Sequence, residues 1–95
     1  MAQDDRFEWD DTKAKRNLKK HETSFAAARK VFDDPASVDL LDDREDYGEE
    51  RSIRIGMAGG RLLAVTYTKR AHRIRIISAR KATKREQDEY YTQGA

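Results

Sequence analysis

Apolar and polar residues alternate most clearly between residues 51 and 80, where the pattern predicts three antiparallel strands. Every second side chain of residues 53–57 is apolar, which is the period of a strand with one buried face. Residues 62–68 and 73–79 are rich in β-branched, apolar and aromatic side chains, as strands are. Gly59-Gly60 predicts a tight hairpin turn between the first two strands, and a second short connection joins the last two.

A helix is predicted before this meander. Asp10 or Asp11 can cap it, and it extends to about His21. Within it, Ala14, Leu18 and His21 recur at helical spacing and form a narrow apolar stripe among basic residues. We therefore expect Ala14 and Leu18 to face the core.

Residues 7–9, Phe-Glu-Trp, alternate and predict a short N-terminal strand with both aromatic side chains on one face. Thr23 or Ser24 can cap a second helix. That helix should stop at Asp34-Pro35, because proline disfavours a helical residue before it and cannot donate a helical hydrogen bond.

Thr83 followed by Glu86 is a capping box for a last helix that runs to about Tyr91. The predicted fold is α+β: a small antiparallel sheet, formed by the three-stranded meander and the short N-terminal strand, with two N-terminal helices and one C-terminal helix. We expect one domain over residues 1–95 with its core at about 6–91. The helices should cover one sheet face and leave the other to Arg and Lys.

Charge is strongly segregated, although the net charge is only +2. Residues 51–85 contain eleven Lys or Arg and no acid, whereas residues 33–50 contain nine acids against Arg44 alone, a balance of −8. A cationic sheet face favours an anionic partner such as a phosphate backbone. The acidic connecting segment is either a solvated loop or a segment that folds near the basic surface and limits nonspecific anion binding.

Several classes of site have no signal in the sequence. There is no cysteine, so disulfides, thiolate metal sites and cysteine nucleophiles are excluded. No metal-ligand spacing and no phosphate-loop motif is present, and no cofactor is expected. The chain has no apolar run of membrane-spanning length and its first residues do not resemble a signal peptide, so we expect a cytoplasmic protein without a membrane partner.

Four arginines of the predicted strands, Arg51, Arg70, Arg75 and Arg80, are candidates to bind phosphate or to stabilise a phosphoryl transition state. The guanidinium stays charged and offers a planar fork of donors. The alternative is a solvated basic face. By simple alternation, Arg80 should lie on the face opposite Arg75 and emerge at the end of the sheet, beside the start of the last helix.

Three other side chains could carry chemistry. His21 is either a proton-transfer group or a helix-end residue that favours the helix dipole. Tyr67 is either a proton donor or stacking platform, or a core aromatic. His72 is predicted to be an exposed turn residue.

The ordered set of short motifs resembles the BrnT family of type II toxin–antitoxin ribonuclease toxins, which are related in fold to RelE. The resemblance covers about residues 6–91 and is carried by the following matches: Phe7-Glu8-Trp9-Asp10, Lys13-Ala14, Asn17, Lys20-His21, Ser24-Phe25, Val31-Phe32, Asp34-Pro35, Gly48-Glu49-Glu50-Arg51, Ile55-Gly56, Gly60-Arg61-Leu62-Leu63, Tyr67-Thr68, Arg75-Ile76-Ile77-Ser78-Ala79-Arg80, Ala82, Glu86 and Tyr90. Two positions depart from the family pattern: Glu22 and Ala71 stand where glycine is usual.

The resemblance implies a metal-independent endoribonuclease that inhibits translation. It also implies a cognate BrnA-like ribbon-helix-helix antitoxin, through which alone the toxin would contact operator DNA. Such an enzyme would cleave RNA by attack of the 2′-OH on the adjacent phosphate.

On this hypothesis, Arg80 and Arg51 stabilise the charge that develops on the phosphate. Arg70 and Arg75 position the RNA backbone, with Lys20 and Lys69 as further RNA-binding residues. His21, Tyr67 or Lys20 moves protons. Two other classes stay open: a non-catalytic nucleic-acid-binding module, and an interaction protein whose basic face receives an acidic partner.

Overall fold

The computed structural model describes residues 2–44, 46 and 48–93, and for residues 2 and 3 only the backbone. Those ranges contain six strands, three α-helices and one 3-10 turn. In chain order they are β1 (Ala2–Gln3), β2 (Phe7–Trp9), α1 (Asp11–His21), α2 (Phe25–Arg29), the 3-10 turn (Lys30–Asp33), β3 (Val38–Asp42), β4 (Arg51–Ala58), β5 (Arg61–Arg70), β6 (Arg73–Lys81) and α3 (Lys84–Gln93).

The α+β class and the antiparallel meander β4-β5-β6 are confirmed, but the sheet is larger than predicted. Its strand order is β1-β2-β6-β5-β4-β3, and β2 pairs with β6 in parallel while every other pair is antiparallel. The purely antiparallel sheet was therefore wrong. The predicted N-caps Asp10 and Ser24 accept backbone hydrogen bonds from Lys13 and Ala27 respectively.

The acidic connecting segment contains β3, one of two strands that the sequence pattern did not predict, the other being β1. In β3, Val38 and Leu40 pack on the core while Asp39 pairs with Arg54 of β4 at 2.7 Å. The solvated-loop interpretation is thus wrong for this part of the segment, which folds against the basic strands. Of the acids counted in the segment, Glu45 lies outside the described residues.

The first sheet face is covered by α1, α2 and the 3-10 turn. Phe25 and Val31 from this layer meet Leu63 and Val65 of β5 in the main core, where all four are almost fully buried. Gly56 of β4 permits the close approach of the 3-10 turn, because a Cβ there would come within 2.9 Å of a Val31 methyl group.

An asparagine, rather than a leucine, anchors α1 to the sheet. The Asn17 amide donates to the Ala79 carbonyl at 2.7 Å and accepts from the Ala79 N–H at 3.1 Å. The parallel register of β2 with β6 stops at Arg75, so Asn17 takes the place of a strand at the open edge of β6. Asn17 is buried whereas Leu18 is 50 % exposed, so the predicted Ala14–Leu18 core stripe was wrong at Leu18.

The second sheet face is not left entirely to basic residues, which corrects the predicted one-sided helix layer. Helix α3 packs on β3 and β4, and Tyr90 joins a second core cluster with Ile53 and Ile55. The Tyr90 hydroxyl donates to Asp34 at 2.7 Å, and this bond together with burial raises the pKa of Tyr90 to about 12. Burial opposes ionisation of Asp34, but hydrogen bonds from Met57 N–H, Tyr90 and Ala36 N–H outweigh it and lower its pKa.

The two departures from the family's glycine pattern have a shared conformation. Glu22, the C-cap of α1, has φ +53°, and Ala71 in the β5–β6 turn has φ +56°. They are the only non-glycine residues with positive φ in the described ranges. Glycine adopts this left-handed region without a Cβ clash, which is the physical reason for a glycine at both positions.

Candidate active site

A β-bulge in β6 decides which arginines share a face. Thr66 pairs with Ser78, but the next residue of β5, Tyr67, pairs with Ile76, so Ile77 is an extra residue. Beyond the bulge the alternation is inverted, as in other sheets where one strand carries one additional residue. Arg75 and Arg80 therefore lie on the same face, and the prediction from simple alternation was wrong.

Helix α3 covers only part of the second sheet face, and the uncovered part carries four of the predicted site residues. Arg75 and Arg80 share it with Ser78, and the register of β4 and β5 adds Arg51 and Arg70. Their side chains come from three adjacent strands and surround the buried Thr66 and Thr68. We call Arg51, Arg70, Arg75 and Arg80 the sheet arginines.

The sheet arginines are charge-compensated, although their own stretch of sequence contains no acid. Each lies close to a carboxylate outside residues 51–85, and Arg51 and Arg70 share one, that of Glu49. The ion pairs are Arg51–Glu49 at 3.3 Å, Arg70–Glu49 at 3.3 Å, Arg75–Glu8 at 2.7 Å and Arg80–Glu86 at 2.6 Å. An unpaired cationic face, which the charge segregation predicted, is therefore not what the fold presents.

Glu86 couples Arg80 to the start of α3. Its carboxylate accepts from both terminal nitrogens of Arg80, at 2.6 and 3.0 Å, and also caps the helix by accepting from the Thr83 N–H at 2.8 Å. Burial opposes ionisation of Glu86, but Arg80 and Thr83 outweigh it and lower its pKa. The predicted position of Arg80, beside the start of the last helix, is confirmed.

His21 and Lys20 lie on α1, at the edge of the same sheet region. Together with Lys13 and Arg16 they line a cleft of about 300 Å³ against Ile77 and Ser78 of β6. Ser78 shares a face with Arg80 by register, so the cleft adjoins the sheet arginines at this serine.

Tyr67 and Lys69 are not brought together with the sheet arginines. Both follow the opposite alternation in β5, and Tyr67 packs edge-on against Phe32 on the helix-covered face. The Tyr67 hydroxyl donates to Asp39 at 2.9 Å. Burial and this bond raise the pKa of Tyr67 although the nearby Arg54 lowers it, so the structure favours the core interpretation. His72 is exposed in its turn, as predicted.

Sequence reasoning missed two residues that organise the site. Simple alternation predicted that Ser78 and Arg75 lie on opposite faces of the sheet, because a one-residue bulge cannot be recognised in the sequence pattern of this strand. Asn17 was quoted only as a match to the family, and its structural role was not predicted because an isolated amide on a basic helix is typical of a surface residue. The cleft itself could have been predicted from the sequence. The spacing of Lys13, Arg16 and Lys20 places three cations on one side of α1, where they line this cleft.

Metal clusters and membrane-spanning helices are both absent from the described ranges. No group of three or more His, Asp or Glu side chains there is arranged to hold a metal ion. None of the helices in the described part of the chain combines the length and apolar character needed to cross a bilayer.

Comparison with known proteins supplies a family for this geometry. The family model described as "Ribonuclease toxin, BrnT, of type II toxin-antitoxin system" matches residues 9–86. That span includes the sheet arginines, the α1 cleft and Glu86. No curated protein matches the chain.

Proposed function

The chain belongs to the BrnT family of type II toxin–antitoxin ribonuclease toxins, and from this premise we propose that it is a metal-independent endoribonuclease that inhibits translation in the cytoplasm. The observation that carries the proposal is the β-bulge at Ile77, which puts Arg75 and Arg80 on one face beside the cleft that contains His21. The order of helices, meander and C-terminal helix supports a RelE-like fold for this enzyme.

The proposed reaction is an internal transfer at the RNA phosphate. The 2′-OH loses its proton and attacks the adjacent phosphorus, and the bond from phosphorus to the 5′ oxygen of the next nucleotide breaks. That oxygen takes up a proton, which leaves a 2′,3′-cyclic phosphate and a 5′-hydroxyl. Such a reaction needs one proton acceptor, one proton donor and stabilisation of charge on the non-bridging oxygens.

Arg80 and Arg51 are proposed to stabilise that charge, and Arg70 and Arg75 to position the backbone. The Arg80–Glu86 pair uses two of the five N–H donors of the guanidinium, and a third donates to the Lys81 carbonyl at 3.4 Å. The pair therefore fixes the orientation of Arg80 and leaves other donors for a phosphate. His21 or Lys20 is proposed to move protons. Tyr67 is not assigned this role, because its hydroxyl is engaged with Asp39 on the other face.

Cleavage of single-stranded RNA is expected to continue in excess chelator, because arginine and histidine side chains supply the charge stabilisation and proton transfer that the reaction needs. The measurement is single-turnover cleavage with and without EDTA, with a metal-dependent nuclease as the control. Loss of cleavage that a divalent ion restores would show that the proposal is wrong.

A His21→Gln variant is expected to cleave about 10²-fold more slowly with nearly unchanged RNA binding, if His21 transfers a proton in the reaction. His72→Gln is the matched control, since His72 is exposed in a distant turn. Normal cleavage combined with a lower melting temperature would assign His21 to packing and the helix dipole instead.

A ribbon-helix-helix antitoxin is the proposed partner, with operator DNA bound only through it. The family supports a type II antitoxin partner and an RNA target. A second candidate function is a non-catalytic module that binds RNA or antitoxin. It is favoured by the ion pair that every sheet arginine forms with a carboxylate, because a paired guanidinium is less available to a reacting phosphate. Binding without cleavage under all tested conditions would favour that candidate.

A further inference from the structure

Helix α1 carries its cations in two groups that point in different directions. Lys13, Arg16 and Lys20 recur at i, i+3 and i+7, which places them on one side of the helix, beside Asn17. We call these three residues the α1 basic ridge. Lys15 and Lys19 lie at i and i+4 and form a second pair, which is rotated around the helix by roughly 110° from the centre of the ridge. Because Asn17 is fixed to Ala79, the orientation of both sides relative to the sheet is set.

The ridge faces the edge of the sheet at a defined place. All three of its residues line the cleft against Ile77 and Ser78, where the β-bulge lies. Lys15 of the second pair instead borders an apolar groove with Trp9 and Leu18. The two sides of α1 therefore look onto different surfaces of the protein.

The ridge also differs from the sheet arginines in its electrostatic state. Lys13, Arg16 and Lys20 are exposed, and none of them has a carboxylate within ion-pair distance in the part of the chain that the structure describes. Each sheet arginine, in contrast, has one. A phosphate entering the sheet face must compete with glutamates in direct ion pairs, whereas no such ion pair has to be broken at the ridge, where Asp10 acts on Lys13 only through its longer-range charge.

We propose that the α1 basic ridge is a second phosphate-binding site, which holds the RNA backbone on one side of the cleavage point. The strand would pass from the ridge over Ser78, at the open edge of β6, to Arg75 and Arg80. The cleft is continuous with the sheet face at this serine, which favours a polyanion that spans both over an acidic protein segment confined to the helix. This inference rests on the proposed ribonuclease function.

The test compares two double variants of equal net charge, Lys13→Gln with Arg16→Gln on the ridge, and Lys15→Gln with Lys19→Gln in the second pair. The probe is a short single-stranded RNA carrying 2′-O-methyl groups throughout, which lacks the attacking hydroxyl. Its dissociation constant is measured by fluorescence anisotropy over a range of salt concentrations. Melting curves confirm that both variants are folded, since exposed substitutions of this kind change stability little.

The ridge variant is expected to bind the probe on the order of tenfold more weakly at low salt. The slope of the logarithm of the binding constant against the logarithm of the salt concentration should also become shallower by about 1.4, which is about 0.7 for each of two lost phosphate contacts. The variant of the second pair should leave the slope nearly unchanged. Equal effects of the two variants, or normal binding by the ridge variant, would overturn the proposal. Normal RNA binding with loss of a polyglutamate probe would assign the ridge to an acidic protein partner and would also overturn it.

The outcome is separable from that of the proposed function. If the wild-type protein fails to cleave unmodified RNA, the ribonuclease proposal fails, and the anisotropy comparison still decides whether the ridge binds RNA. If the wild-type protein cleaves RNA and the two double variants bind alike, only the ridge proposal fails.

Discussion

Replacing Arg80 with alanine is expected to slow the chemical step of RNA cleavage on the order of 10²-fold, which corresponds to about 3 kcal/mol of transition-state stabilisation. Charge grows on the phosphate oxygens mainly in the transition state, so the loss should fall on rate more than on affinity. The measurement is single-turnover cleavage at saturating enzyme, together with RNA binding. Arg80→Lys should restore only part of the rate, because lysine lacks the forked donor geometry.

The structure adds a stability component to this prediction. The Glu86 side chain is only 13 % exposed, so removal of Arg80 leaves a largely buried carboxylate with its backbone cap alone. Melting curves must therefore accompany the kinetics. Arg85→Ala is the matched control, since Arg85 lies exposed in the first turn of α3. Unchanged cleavage at saturating Arg80→Ala enzyme with weakened binding would make Arg80 a phosphate anchor rather than a catalytic residue.

Replacing Asn17 with alanine is expected to lower the free energy of unfolding by about 3 kcal/mol, because it leaves buried polar backbone groups without partners. The Asn17 side chain bonds the N–H and the carbonyl of Ala79 and also donates to the Thr23 carbonyl at 2.9 Å. For a domain of this size the melting temperature should fall by more than about 10 °C. Thermal or urea denaturation measures the change.

Leu18→Ala is the control for Asn17→Ala, and it reverses the ranking that the sequence suggests. Leu18 is the adjacent residue of α1 and half of its surface is exposed, so its loss should change stability by no more than about 0.5 kcal/mol. A larger loss for Leu18→Ala than for Asn17→Ala would show that α1 docks through its apolar stripe and not through the amide.

The sequence by itself determined those features that depend on near neighbours. The caps Asp10 and Ser24, the Thr83–Glu86 capping box and the Gly59-Gly60 turn all lie where the pattern predicts them. Each is set by side-chain-to-backbone bonds or dihedral preferences within about four residues. The motif set also identified the family, which the match over residues 9–86 confirms.

Only the tertiary structure decided which faces and edges these elements present. One extra residue, Ile77, inverts the alternation of β6 and moves Arg80 to the face of Arg75. A period of two carries no record of where a bulge occurs, because the bulge is fixed by pairing with β5. The edge role of Asn17 depends in the same way on where β2 stops.

The charges follow the same division. The sequence shows an acidic segment before a basic one, but it does not show that Glu49, Glu8 and Glu86 each reach a sheet arginine. Arg75 and Glu8 are 67 residues apart in the chain. Pairing at such separations depends on the complete sheet, so the fold alone distinguishes the compensated sheet arginines from the cations of α1 that remain available to a phosphate.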